Sequence, residues 1–278
     1  DSDYVTYVWF DALLNYVTAP GYLGNTENFE KWWPQAVHLI GKDILMTHAV
    51  YWPTMLMSAG ISLPKKIFAH GWWLLQESKM SKSLGNVVDP LKLIDEYGVD
   101  PVRYYIMREM VPGQDSNFTV ESFIKRYNSD LANDFGNLLS RVTNLMHKYF
   151  EGKIPDWGES TPAEDKMREN AESTTYIVNE LMKSMRINEA IEETMQFIRS
   201  VNKYLEKQAP WILIKEDKKS AGRVLITASE SLRIGAKLLQ PIMPNRTQAL
   251  LDTLGTETSE LGWGQIMPGN KLKEHNQL

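Results

Sequence analysis

Four stretches between Val120 and Leu239 repeat apolar residues at helical spacing, and this confines most of the chain to packed helices. In the first stretch, Val120 to Phe150, the repeat runs through Phe123, Leu131, Phe135, Leu138, Val142, Leu145 and Tyr149. The others span about 164–184, 187–208 and 223–239, with Pro241 and Pro244 closing the last. Gly152–Pro162 is a polar loop containing Pro155 and Pro162, and the other connections are short, so neighbouring helices should run antiparallel in a bundle.

The first third has a different texture. Val5–Phe10 is β-branched and aromatic and reads as a strand, with Asp11 at a helix N-cap position. Val37–Ile40 is a short apolar run closed by Gly41. Asp43–Ala59 has helical spacing up to Gly60, and Ile67–Leu75 reads as strand again. Strand–helix–strand order at these lengths predicts a parallel α/β region. Asp89-Pro90 and Asp100-Pro101 each read as an N-cap followed by a first-turn proline, opening two further helices.

Composition narrows the class only loosely. With 43% hydrophobic and 23% charged residues the chain is of soluble globular type. It has no apolar run long enough to span a bilayer and no signal sequence at its start, which makes the cytosol the default address. The absence of cysteine rules out disulfides and thiolate metal sites. A net charge of −5 argues against indiscriminate nucleic-acid binding, yet allows local reading of a folded RNA.

Chemistry concentrates in Lys79-Met80-Ser81-Lys82-Ser83-Leu84-Gly85-Asn86. Two lysines three apart, flanked by hydroxyls, can wrap a polyphosphate, with the ammonium groups acting as mobile point charges. Gly85 leaves the loop free to move. A bare K-x-x-K would usually be a solvated surface loop, but the full pentapeptide is expected by chance in fewer than about one in a thousand chains of this length.

Lys79–Ser83 resembles the second signature of class I aminoacyl-tRNA synthetases. The flanking blocks resemble the methionine-specific family: Tyr7-Val8-Trp9-Phe10-Asp11-Ala12, His38–Ile44, His48-Ala49-Val50-Tyr51-Trp52-Pro53 and His70-Gly71-Trp72. The resemblance runs from about residue 4 to 275. It implies α/β followed by all-α: the C-terminal part of a Rossmann-type catalytic domain (1–78), the lysine-rich loop with its connecting helices (79–117), and an anticodon-binding helix bundle (118–278).

It also implies roles. Lys79, Ser81, Lys82 and Ser83 would be catalytic, with Lys82 on the migrating pyrophosphate. Gly41, Asp43, His70, Gly71, Trp73 and Met80 would bind ATP, which Mg²⁺ should accompany. Trp9, Ala12, Leu13, Tyr16, Ile44, His48 and Trp52 would surround methionine. Asn137 and Arg141 would read anticodon bases, with Trp211 stacking on one of them.

Each assignment has a plainer competitor. Ile44, His48 and Trp52 share one helix face, as an ordinary core stripe with a satisfied histidine would. Asp43 could be only an N-cap. Asn133, Asn137, Arg141 and Asn144 could form a solvated helix edge, and Trp211 could plug the end of the bundle. Leu13 stands where a small residue or proline often occurs, and Thr47 replaces a common aromatic, so both could reshape the pocket wall.

The family's other catalytic signature, His-x-Gly-His, is not formed by His38, His48, His70, His147 or His275. The zinc-knuckle insertion is also absent, so no zinc site is expected. The apolar faces of Val5–Phe10 and Val37–Ile40 would then need covering, which implies an N-terminal half on a separate or missing chain. The chain alone should not activate methionine. The functional expectation is methionine–tRNA ligase. The alternatives are a tRNA anticodon-binding module without catalysis and a relative that charges another aliphatic amino acid.

Overall fold

The computed structural model describes residues 8–75, 78–79, 88–256 and 260–273. The chain divides into two compact units, Asp1–Lys79 with Met110–Asn117 and Met80–Glu109 with Phe118–Leu278. The helices expected to stand between the α/β region and the bundle thus group with the bundle, and residues 110–117 group with the α/β unit.

The α/β unit opens on helix α1, Trp9–Thr18, where a strand over Val5–Phe10 was expected. Val8 is its N-cap and Asp11 lies in its first turn. Local β-propensity is overridden because Trp9, Leu13 and Val17 recur at helical spacing, and the last two are buried. Helix α2, Thr26–Trp32, leads through a 3₁₀ turn to strand β1, Val37–Gly41.

The next helical stretch is not uniform. A 3₁₀ turn, Lys42–Ile44, is followed by a π turn, Thr47–Tyr51, and then by helix α3, Trp52–Ser58. Pro53 lacks the N–H that a regular turn would use, and a widened turn just before it avoids the clash. Gly60, with φ of 67°, ends the stretch as anticipated.

The expected strand Ile67–Leu75 is two strands, β2, Lys66–His70, and β3, Trp73–Leu75, broken at Gly71-Trp72. β1 and β2 pair in parallel, with Gly41 opposite His70. β3 pairs antiparallel with β4, Ser78–Lys79, and parallel with β5, Ser116–Asn117. Leu13, Val17, Trp33, Trp52 and Leu56 form the core of this unit.

In the bundle unit, Asp89 accepts from the Leu91 N–H and caps helix α4, Pro90–Tyr97. Asp100 does not cap its own helix as expected. It lies inside helix α5, Val99–Glu109, and is buried. Its carboxylate accepts from the Arg246 N–H at 2.6 Å, so it serves the N-terminus of helix α12, Pro244–Thr253, instead. The long helix 120–150 exists as α6, Val120–Arg126, a π stretch, Tyr127–Gly136, and α7, Asn137–Phe150.

Helices α8, Pro162–Lys183, α9, Ile187–Gln208, and α11, Lys218–Leu239, complete the bundle, with the short α10, Pro210–Leu213, between the last two. Thr161 and Glu164 form a capping box at the start of α8. Leu138, Leu139, Val142, Met146, Ile198, Val201 and Leu225 are all fully buried in one core. Each such side chain contributes roughly 1.5–3 kcal/mol relative to exposure. Among the described residues no helix is long and apolar enough to cross a membrane.

Candidate functional site

Two helical faces of the α/β unit bring aromatic rings and imidazoles together. On α1, Trp9, Ala12 and Tyr16 share a face beside the buried Leu13–Val17 edge. The stretch from Lys42 to Ser58 contributes Ile44, His48 and Trp52. The Trp9 and His48 rings lie 5.8 Å apart edge to face, Tyr16 and His48 5.6 Å, and Tyr16 and Trp52 6.0 Å. Ala12 and Tyr16 are exposed, and Trp9 and Ile44 are partly exposed. Leu13, His48 and Trp52 are buried. Leu13 therefore packs into the core beneath this face, and Thr47 is buried within the π turn.

The hydrogen bonds fix the polarity of this cluster. The Ile44 carbonyl, 2.9 Å from His48 Nδ1, can only accept, so Nδ1 carries a proton. In the neutral imidazole Nε2 is then an acceptor, and the Tyr16 hydroxyl donates to it at 3.0 Å. Trp52 Nε1 donates to His38 Nε2 at 3.1 Å, and the Tyr16 ring lies 4.3 Å from the His38 ring. Burial, and secondarily the neighbouring His48, hold the His38 imidazole below its ordinary pKa. His38 was not singled out from sequence. Its signal was its place two residues before Ile40 on the alternating strand β1, where the inward positions are His38 and Ile40.

The carboxyl ends of the parallel pair β1 and β2 lie side by side, the usual place for ligands on open α/β sheets. There, Asp43 Oδ1 would stand 2.5 Å from a Cβ placed on Gly41, and His70 Cε1 3.9 Å from it. Glycine at 41 thus leaves room for the Asp43 carboxylate. Asp43 is exposed within the 3₁₀ turn and caps no helix, so the plainer N-cap reading is not borne out. His70 Nδ1 lies 2.8 Å from the Gly71 carbonyl. A Cβ on Gly71 would overlap the Gln114 carbonyl oxygen, and Trp73 pairs with Ser116. Lys79 ends β4. Met80, Ser81, Lys82 and Ser83 lie outside the described residues.

The bundle unit carries a second polar locus. Asn137 and Arg141 on α7 border a groove with Asn133, Asp134, Ser140, Asn202 and Glu206. The Arg141 guanidinium lies 5.1 Å over the Trp211 ring and 3.7 Å from Glu206 Oε1. Asn137 donates to Asn133 Oδ1 at 3.4 Å. Trp211 is half-buried against the bundle core, so plugging and ring presentation are combined in one side chain. Asn202 and Glu206 were missed from sequence, although they repeat on α9 the i, i+4 spacing of Asn137 and Arg141. Among the described residues no three His, Asp or Glu side chains converge as a metal-ligand set.

A unit built on a parallel strand pair, followed in the chain by a helical bundle with a polar groove beside Trp211, has the architecture of a class I synthetase. The family model for class I tRNA synthetases (M) matches residues 1–143, and that for the anticodon binding domain of methionyl tRNA ligase matches residues 154–273. The chain belongs to this methionine-type family of class I tRNA synthetases.

Among its relatives, the methionine–tRNA ligase of Halalkalibacterium halodurans is 45% identical over 287 residues, an alignment covering 100% of this chain and 43% of the relative. That of Clostridium tetani is 48% identical over 269 residues, covering 96% and 42%. The Mycobacterium tuberculosis methionyl-tRNA synthetase, solved in complex with methionyl-adenylate, superposes with a TM-score of 0.92 at 39% identity, covering 98% of this chain and 55% of that one. The chain therefore spans under half the length of these two curated relatives.

Proposed function

We propose that this chain forms the second part of a methionine–tRNA ligase that activates methionine with ATP and transfers it to the tRNA for methionine in the cytoplasm. The observation that carries the reading is the Trp9–Tyr16–His48–Trp52 cluster, within the same unit as the Gly41/His70 strand ends. A thioether is apolar and polarizable and is well held by aromatic edges beside a weak donor. Trp9, Ala12, Leu13, Tyr16, Ile44, His48 and Trp52 would enclose the methionine side chain. Leu13 would act from beneath, as backing for the pocket wall.

Asp43, with the space that Gly41 leaves, would accept from the ribose hydroxyls. His70, Gly71 and Trp73 would border the adenine. The methionine carboxylate attacks the α-phosphorus, and pyrophosphate departs with its charge. No protein nucleophile is needed, so the chain contributes positioning and charge stabilisation, through Lys79 and Lys82 with Met80, Ser81 and Ser83. The residues described offer no cage for Mg²⁺. The ion would be held by the ATP phosphates, where it neutralises charge.

Val8, Phe10, Val37 and Leu39 present exposed apolar surface, and the sequence contains no His-x-Gly-His. Both features support a site completed by a further segment bearing that motif. The isolated 278-residue chain should then give no methionine-dependent ATP–pyrophosphate exchange, while the assembled enzyme should.

Asn137 and Arg141 would read anticodon bases, with Trp211 stacking on one. Stacking contributes roughly 1–3 kcal/mol per base, so in the assembled enzyme Trp211→Ala should weaken tRNA charging about 5- to 150-fold while leaving exchange intact. Equal losses in both assays would overturn the anticodon assignment. Retained tRNA binding without any exchange by the assembled enzyme would favour a binding module.

A further inference from the structure

The two strand ends of the α/β unit are tied together by a third segment. Gly113, with φ of 75°, turns the chain after Met110 back towards β5. Asp115, two residues further along, uses both carboxylate oxygens. Oδ2 accepts from Lys42 Nζ at 2.7 Å, and Oδ1 accepts from the Trp72 N–H at 2.8 Å. The Lys42 ammonium also lies 4.2 Å from the centroid of the Trp72 ring. The Ser116 N–H donates to the Trp72 carbonyl at 2.9 Å, and Gly71 packs directly on the Gln114–Asp115 peptide.

These contacts fall at particular positions. Lys42 stands between Gly41 and Asp43, and Trp72 follows His70 and Gly71. One carboxylate therefore grips both turns at the open end of the β1–β2 pair. The Lys42–Ile44 turn is only three residues long and has no side-chain cap of its own. We infer that Asp115 is a positioning residue for the nucleotide, holding the Asp43 turn and the His70-Gly71 edge at a fixed separation. The inference rests on the reading that these strand ends bind ATP.

The plainer account is a surface ion pair of little consequence. Three features separate the two. Lys42 and Asp115 side chains are only 35% and 29% exposed. One of the two donors is a backbone N–H, which loses no side-chain freedom on binding. The same carboxylate also ties Lys42 to Trp72, 30 residues further along the chain, which a solitary ion pair would not do.

The test uses the complete active enzyme containing this chain. Asp115→Asn should raise the KM for ATP in pyrophosphate exchange about 5- to 20-fold, as loss of a charge-assisted hydrogen bond implies, with the KM for methionine within about 2-fold. Lys42→Met should reproduce this shift, and the double variant should be no worse than either single one, since all three break one link. Lys42→Arg, which keeps the charge and can stack on Trp72, should retain the KM for ATP within about 2-fold.

An unchanged KM for ATP in Asp115→Asn would overturn the proposal. So would equal rises in both KM values together with a lowered melting temperature, which is what a merely structural role predicts. If the unmodified enzyme showed no methionine-dependent exchange, the reading of the site would fall and the proposal with it. That outcome is separate from normal exchange with an indifferent Asp115.

Discussion

Glu230 and Arg233 on α11 are both fully buried, and the loop from Glu260 to Ile266 is built on them. Glu230 Oε1 accepts from Arg233 Nη2 at 2.8 Å and from the Gly264 and Gln265 N–H groups at 2.8 and 3.0 Å. Its Oε2 accepts from Arg233 Nε at 3.1 Å and from the Ile266 N–H at 3.0 Å. Arg233 in turn donates to the Glu260 and Gly262 carbonyls, each at 2.6 Å.

Glu230→Gln keeps the shape of this arrangement but removes its charge. The guanidinium is left buried with neutral carbonyl acceptors only, and the new amide turns an NH₂ towards groups that can only donate. Breaking a buried pair from one side costs about 3–5 kcal/mol. For a unit of this size each kcal/mol shifts the melting temperature by about 2–4 °C, so a fall of roughly 6–20 °C is expected by circular dichroism. Arg233→Met should cost less, because the Glu230 carboxylate keeps its three backbone donors. A Glu230→Gln chain melting within 2 °C of the parent, to take an approximate threshold from the same scaling, would refute the reasoning.

Asp100→Ala should destabilise the bundle unit by about 2 kcal/mol, because a buried carboxylate at the N-terminus of α12 is removed; urea unfolding would measure it, and Asp100→Asn should fall between. His38 is held below its ordinary pKa, so the native state binds fewer protons than the unfolded chain in the interval between the two values. Its contribution is therefore fully present above the unfolded value of 6.5 and is lost as the pH falls towards the folded one. Tryptophan fluorescence of the α/β unit should report destabilisation on acidification, and His38→Gln, which can still accept from Trp52 Nε1, should reduce that slope.

The bundle was legible because its helices are long and amphipathic, and α8, α9 and α11 appear where their apolar periods place them. The short α/β elements were less so. Trp9 and Phe10 have strand-forming side chains, but burial of Leu13 and Val17 against Trp33 and Trp52 draws the segment into a helix, a preference that no six-residue window contains. Asp100-Pro101 has the form of a self-cap. Only folding places Asp100 against a helix start nearly 150 residues later in the chain, where the carboxylate finds donors that its own first turn does not offer it.

The sequence by itself determined the family, because Lys79–Ser83 and the tryptophan and histidine blocks are contiguous strings that can be read without knowing what they pack against. Tertiary structure alone decided which of those residues meet. The Tyr16–His48 and Trp52–His38 hydrogen bonds, the Arg141–Trp211 stack and the Asp115 bridge join positions 32, 14, 70 and 73 or 43 residues apart. Such pairings depend on strand register, on the π turns that rephase two helices, and on backbone turning at glycine. Those are properties of the packed chain, which local sequence pattern does not encode.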